Sequence, residues 1–212
     1  MEQQQLNQMN ICVIGSGNVG GALARKWVEA GHAVLIGAQF PLSEKNVQLA
    51  RLIGEERFTS IASAVSRSDV ILIATPPAAI LEVIAQMGDV TGKTLVDATN
   101  AIRSKPEPYD TAYHALVDRT GGEVVKCFNS TGFENMLDPV YQGEKLDMFM
   151  AGDSESAKQI ARQLALDAGF GTCWDFGKGA QVSLLEQFAL SWINLSIMQG
   201  HGRDLAFRVV RR

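Results

Sequence analysis

Ile11-Cys12-Val13-Ile14-Gly15-Ser16-Gly17-Asn18-Val19-Gly20 decides how the rest of the chain is read. Ile11 to Gly15 is a short apolar run closed by glycine, and Asn18 to Ala30 then carries apolar residues at helical spacing. His32 to Gly37 is a second apolar run, so the order is strand, helix, strand. Each glycine has its own steric reason: Gly15 allows a tight exit from the strand, Gly17 leaves the backbone open to close approach, and Gly20 lets the helix lie against the sheet.

The same alternation continues through a helix at Glu44 to Ile53, a weak strand near Arg57 to Thr59, a short helix from Ser60 and a buried strand at Val70 to Ala74. Ala78 to Gln86 reads as a helix, Thr94 to Asp97 as a strand, Tyr109 to Arg119 as a helix and Glu123 to Phe128 as a strand. This is the pattern of an α/β fold with a doubly wound, mostly parallel sheet. Beyond it, strands near Asp147 to Ala151 and Gly171 to Asp175, around a helix near Ser154 to Ala168, extend the sheet. A last helix, about Ala180 to Met198, is apolar nearly all round and must be covered on most sides. Residues 1–10, MEQQQLNQMN, read as a disordered polar tail, and 11–212 as a single domain with a C-terminal extension from about residue 178.

Composition narrows the function classes. With 212 residues, 46% hydrophobic and 20% charged, the chain is that of an ordinary globular protein. A formal charge of -4 gives no attraction for nucleic acid or anionic lipid, although Arg203, Arg208, Arg211 and Arg212 make the C-terminal end locally basic. Cys12, Cys127 and Cys173 lack any C-x-x-C spacing, and no secretory signal or membrane-spanning run is visible, so a reducing cytoplasm is expected. His32, His114 and His201 are scattered and imply no metal site. Gly88 to Thr94 imitates a mononucleotide loop but precedes its strand. Cys127 reads as a buried strand cysteine before a nucleophile, and Glu186, inside the apolar helix, as a helix-end or rim carboxylate before an active-site or interface acid.

The chemistry gathers where the strands end. Gly15, Ser16, Gly17, Asn18, Val19 and Gly20 form G-x-G-x-x-G between a strand and a helix, which sets open amides and a helix dipole against a dinucleotide's diphosphate. This makes the fold an NAD(P)-binding Rossmann fold. The second strand ends in Ala38 and Gln39, without the carboxylate that binds an NAD ribose. That leaves room for a 2′-phosphate, with Lys45 the nearest cation, so NADP is preferred and NAD stays open. Thr75 and Pro76, then Ala98, Thr99 and Asn100, stand at later strand ends and are placed to meet the nicotinamide half, and at a third such edge Phe128 and Asn129 are read equally as facing the ring or as packing residues.

Taken together, Ile14 to Gly20, Val96-Asp97-Ala98-Thr99-Asn100, Val125-Lys126-Cys127-Phe128-Asn129 and Asp175-Phe176-Gly177 before a long apolar helix resemble the NADP-dependent oxidoreductases related to coenzyme F420:NADP oxidoreductase. The resemblance spans nearly all of the chain after Asn10. It extends to the reductase domain of the six-transmembrane ferric reductases, of which only the soluble module is represented here. It implies that the glycine loop holds the diphosphate, that Ala38, Gln39 and Lys45 surround the adenosine ribose, and that Thr75-Pro76 and Thr99-Asn100 approach the nicotinamide. Family members usually carry Ser-Arg where this chain has Ala38-Gln39, a departure that weighs against NADP and bears on cofactor choice.

The expected function is an NAD(P)-dependent oxidoreductase that passes hydride between NADP, or NAD, and a flavin, deazaflavin or other small redox acceptor. No His, Lys or Tyr constellation identifies a catalytic acid or base. The alternative is a dinucleotide-binding redox sensor without turnover. An imine reductase of the pyrroline-carboxylate type would need more chain than remains after Ala180. The apolar terminal helix predicts a homodimer.

Overall fold

The computed structural model describes residues 8–41, 43–102 and 104–212, with Lys45 by its backbone alone. Strand β1 (Asn10–Ile14) turns Ile11 and Val13 to one face and Cys12 and Ile14 to the other, all buried, as a central parallel strand requires. The strand starts inside the stretch expected as a tail: Met9 already donates its N–H to His32 Nδ1 and accepts from the Ala33 amide. Residues 1–7 of that tail lie outside the described residues.

There follow α1 (Asn18–Glu29), β2 (Ala33–Gly37), α2 (Glu44–Ile53), β3 (Phe58–Thr59), α3 (Ile61–Ser66), β4 (Val70–Ile73), α4 (Ile80–Met87), β5 (Thr94–Asp97), α5 (Ala112–Arg119) and β6 (Glu123–Cys127). Next come α6 (Phe133–Leu137) and the hairpin β7 (Val140–Tyr141) and β8 (Glu144–Lys145), all too short to leave a periodic signature in the sequence. Then β9 (Asp147–Ala151), α7 (Glu155–Asp167), β10 (Thr172–Asp175) and α8 (Val182–Ile193) complete the fold, α8 widening into a π-helix at Asn194–Met198.

Eight strands form one sheet in the order β10-β9-β6-β5-β4-β1-β2-β3. Every pairing in it is parallel except β6 with β9, where Lys126 faces Ala151 and Cys127 faces Met150. The chain leaves β6 at the carboxyl edge and returns through α6 and the hairpin to the same edge, so no full crossover reverses it. Helices α1, α2, α6 and α7 pack on one face, and α3, α4, α5 and α8 on the other. Trp27 of α1 anchors the first face, its indole N–H donating to Leu164 O at 3.0 Å.

Helix α8 buries Val182, Leu185, Glu186, Ala189 and Trp192, while Leu184, Ile197 and Met198 remain exposed. The cover expected on most sides is thus found on one side only. Part of it comes from the tail, where Phe207 lies 4.6 Å from Phe188 between ring centroids. Arg203 ties this tail down with two hydrogen bonds to Glu134, at 2.5 and 3.0 Å, and lies over the rings of Trp192 and Phe133. Burial works to raise the Glu134 carboxyl, but the Arg203 guanidinium outweighs it and holds the pKa below the ordinary glutamate value. The pair's contribution is therefore present at neutral pH and lost as pH falls through the depressed value. Arg203→Ala is expected to lower stability by about 1–2 kcal/mol, because both side chains are partly solvated. Limited proteolysis at neutral pH should then release the segment after residue 200 faster than in the parent.

Candidate functional site

The glycine turn is built by contacts that exclude side chains. Gly15 has φ +104°, and a Cβ there would stand 2.6 Å from Ala74 O. A Cβ on Gly20 would fall 1.9 Å from Gly15 O. At Gly17, the residue preceding α1, nothing lies within 4 Å of an added Cβ. Packing inside the protein therefore does not demand glycine at this exposed position, the N-cap of α1. No side chain caps the opening amides of α1, so they face outward.

Along the carboxyl edge between β1, β2 and β4 runs a cavity of about 260 Å³. Gly15, Ser16, Ala38, Gln39, Thr75 and Pro76 line it together with Phe40, Asn46 and Glu82. Gly17 and Asn18 open instead onto a second groove beside Arg25, Leu49 and Phe133, so the glycine turn forms a ridge between two clefts. Lys45 lies in the first turn of α2, and its side chain lies outside the described residues. Asn46, absent from the sequence reading, joins the two ends of the cavity. It accepts from Ser16 Oγ at 2.5 Å and donates to Phe40 O and Pro41 O, fixing the loop after β2 to the glycine turn. Phe40 itself is 69% exposed at the cavity's outer end. Burial pushes the Cys12 thiol up to about 12, so β1 offers no thiolate beneath the turn.

The remaining predicted residues gather at the ends of β4, β5 and β6. Thr75 Oγ1, Thr99 Oγ1 and Asn129 Oδ1 are three of five buried side-chain oxygens or nitrogens without a partner among the described residues. Leaving such a group unsatisfied costs about 1–3 kcal/mol, and these three stand at successive strand ends. Phe128 is wholly buried, its ring edge-on to Trp27 at 5.6 Å, and it has φ +61°. It packs in the core, and its backbone reverses the chain. Asn129 is thereby turned back to donate to Asn100 Oδ1 at 2.9 Å, while Asn100 donates to Asn129 O at 2.8 Å. Ala98 is buried just after β5, its amide donating to Ile73 O at 3.0 Å.

Directly behind them lies a cluster that the sequence reading did not assemble. Lys126 Nζ donates to Asp97 Oδ2 at 2.9 Å and to Glu186 Oε1 at 2.5 Å, and the Lys126 side chain is fully buried. Asp97 Oδ1 accepts the Thr99 amide, and Glu186 Oε2 accepts the Ala101 amide, each at 2.9 Å. Glu186 is 6% exposed and corrects the expectation of a rim carboxylate. The desolvation that normally keeps glutamate at the surface is offset here by the ammonium and an amide. Asp97 and Lys126 share a register in the sheet, a pairing legible only once β5 and β6 are known to be neighbours. Among the described residues no cluster of three metal-ligating side chains occurs, and no helix is long and apolar enough to cross a membrane.

A mostly parallel sheet whose first strand ends in this glycine turn, with polar groups at successive carboxyl ends, is an α/β fold of the Rossmann type. Residues 10–101 match the family described as NADP oxidoreductase coenzyme F420-dependent. That stretch contains the glycine turn, the cavity and Thr75 and Thr99. A protein from Arthrobacter sp. fb24 proposed to be an F420-dependent NADP-reductase has a similar structure, with TM-score 0.83, 23% identity, and 96% of this chain and 100% of that one covered. A hypothetical protein from Sinorhizobium meliloti superimposes with TM-score 0.73 at 21% identity, over 98% of both chains. A reductive aminase from Aspergillus terreus reaches 0.64 at 16% identity, covering 92% of this chain but 63% of that one. At these identities the likeness is one of fold.

Proposed function

We propose that the protein is an oxidoreductase that binds a nicotinamide dinucleotide, NADP in the first place, and passes its hydride to a small flavin-like acceptor. The observation that carries this reading is the row of unpaired buried oxygens on Thr75, Thr99 and Asn129, beyond a glycine turn whose only open position is Gly17. The amides of α1 would hold the diphosphate. Ala38, Gln39 and Phe40 would border the adenosine, with Lys45 in the adjoining turn of α2. Thr99, Asn100 and Asn129 would orient the carboxamide and ribose of the nicotinamide. Bound there, a reduced nicotinamide would supply hydride, two electrons carried with one proton, and a second proton from solvent would complete reduction of the acceptor. No acid or base of the chain is needed for the hydride step.

NADPH and NADH titrated separately by fluorescence, then followed at their absorbance with free flavins, a deazaflavin and ferric chelates, test this. Binding with oxidation by a flavin-type acceptor is the expected result. Binding without turnover on any acceptor would turn the reading to a redox sensor, and no binding of either coenzyme would overturn it. The exposed Leu184, Ile197 and Met198 support a homodimer formed through α8, to be checked by the mass in solution. The three buried free thiols fit a reducing, cytoplasmic setting.

A further inference from the structure

We infer that the buried cluster of Lys126, Asp97 and Glu186 sets the redox bias of the site, its surplus negative charge favouring the oxidised, cationic nicotinamide over the neutral reduced ring. This rests on the reading above that a nicotinamide dinucleotide lies at this edge. Formally the cluster holds one cation and two anions. Both carboxylates grip amides of the segment that lines the edge, Thr99 and Ala101, so the surplus charge sits immediately behind that wall. The side chains of Lys126 and Asp97 are fully buried and that of Glu186 nearly so, which leaves little water to screen the field. Lys105, whose charge reaches Glu186, is exposed and already paired with Asp110 at 2.7 Å, so it does not cancel the surplus.

The two oxidation states of the coenzyme share every phosphate, ribose and adenine contact. They differ in the charge of one ring. The ratio of their dissociation constants therefore isolates the field at the nicotinamide from all other binding terms. A unit charge acting across a protein interior over roughly 8–10 Å changes such a ratio by about tenfold or somewhat more. The cluster is thus a positioning device for the wall, and also an electrostatic one that makes release of hydride from the reduced coenzyme more favourable.

The test measures dissociation constants of NADP+ and NADPH by calorimetry at one ionic strength for the parent, Glu186→Gln, Asp97→Asn and Glu186→Asp. Glu186→Gln and Asp97→Asn should each shift the ratio about tenfold toward the reduced form, although they hold different amides. Glu186→Asp, which keeps the charge, should leave the ratio near that of the parent even if both affinities fall. Circular dichroism identifies a variant that fails to fold, and the other neutralising variant then decides. Equal losses of both affinities, with the ratio unmoved in a folded neutralised variant, would overturn the inference while leaving the proposed function standing. Failure of the parent to bind either form would overturn both.

Discussion

Lys126→Met is expected to destabilise the protein by about 3–5 kcal/mol, a large share of the roughly 5–15 kcal/mol that holds a domain of this kind folded. Methionine fills much of the lysine's volume and leaves the packing of β6 nearly intact, so the loss is electrostatic. Asp97 and Glu186 would remain buried, without the ammonium that lies 2.9 and 2.5 Å from them. Neither carboxylate can turn away freely, because each is fixed by a backbone amide. Urea denaturation of the variant against its parent measures the difference. Adding Glu186→Gln to Lys126→Met should recover part of the loss, since one of two uncompensated charges is then gone; the shortfall from additivity reports their coupling. If Lys126→Met alone unfolds at the parent's urea midpoint, the cluster contributes little to stability.

Gly17→Val should do the reverse: stability nearly kept, with dinucleotide binding lost by a hundredfold or more. The position has open space around a Cβ and φ -72°, which any residue accepts. The folded protein therefore loses there only part of the α1 cap, about 1 kcal/mol or less, whereas a diphosphate drawn onto the α1 amides would meet the new side chain. Gly20→Ala supplies the contrast. Its Cβ would drive into Gly15 O, so folding itself should suffer. Thermal melts and coenzyme titrations of the two variants separate these outcomes. A Gly17→Val protein that binds as its parent does would remove the diphosphate from this turn.

Most of the sheet was legible because its signals are local. The apolar runs of β1, β4 and β6 and the helical spacing of α1 and α7 are each written in consecutive residues, and parallel order follows from their alternation. The return through α6 and the β7–β8 hairpin was not legible, since elements of two to five residues have no period. The glycine turn carries its own steric logic in six residues, so its shape was foreseeable. The partnership of Asp97, Lys126 and Glu186 was not, because it depends on strand register and on which turn of α8 meets the sheet. Phe128 shows the same limit: its sequence position at a strand end is compatible with facing either a ligand or the core. Its positive φ and contact with Trp27 put it in the core.

The tail past Gly202 has one more bearing on how molecules of this protein meet. β10 is an outer strand of the sheet, and Arg211 lies over its Trp174 ring at 4.7 Å while the Val209 amide reaches Asp147 at the start of β9. At the opposite margin β3 is two residues long, too brief a template for another backbone to dock. With one margin cut short, and the tail fastened beside the other by contacts to side chains of β9 and β10, strand addition by a neighbouring molecule finds too few free backbone groups at β3 to begin there.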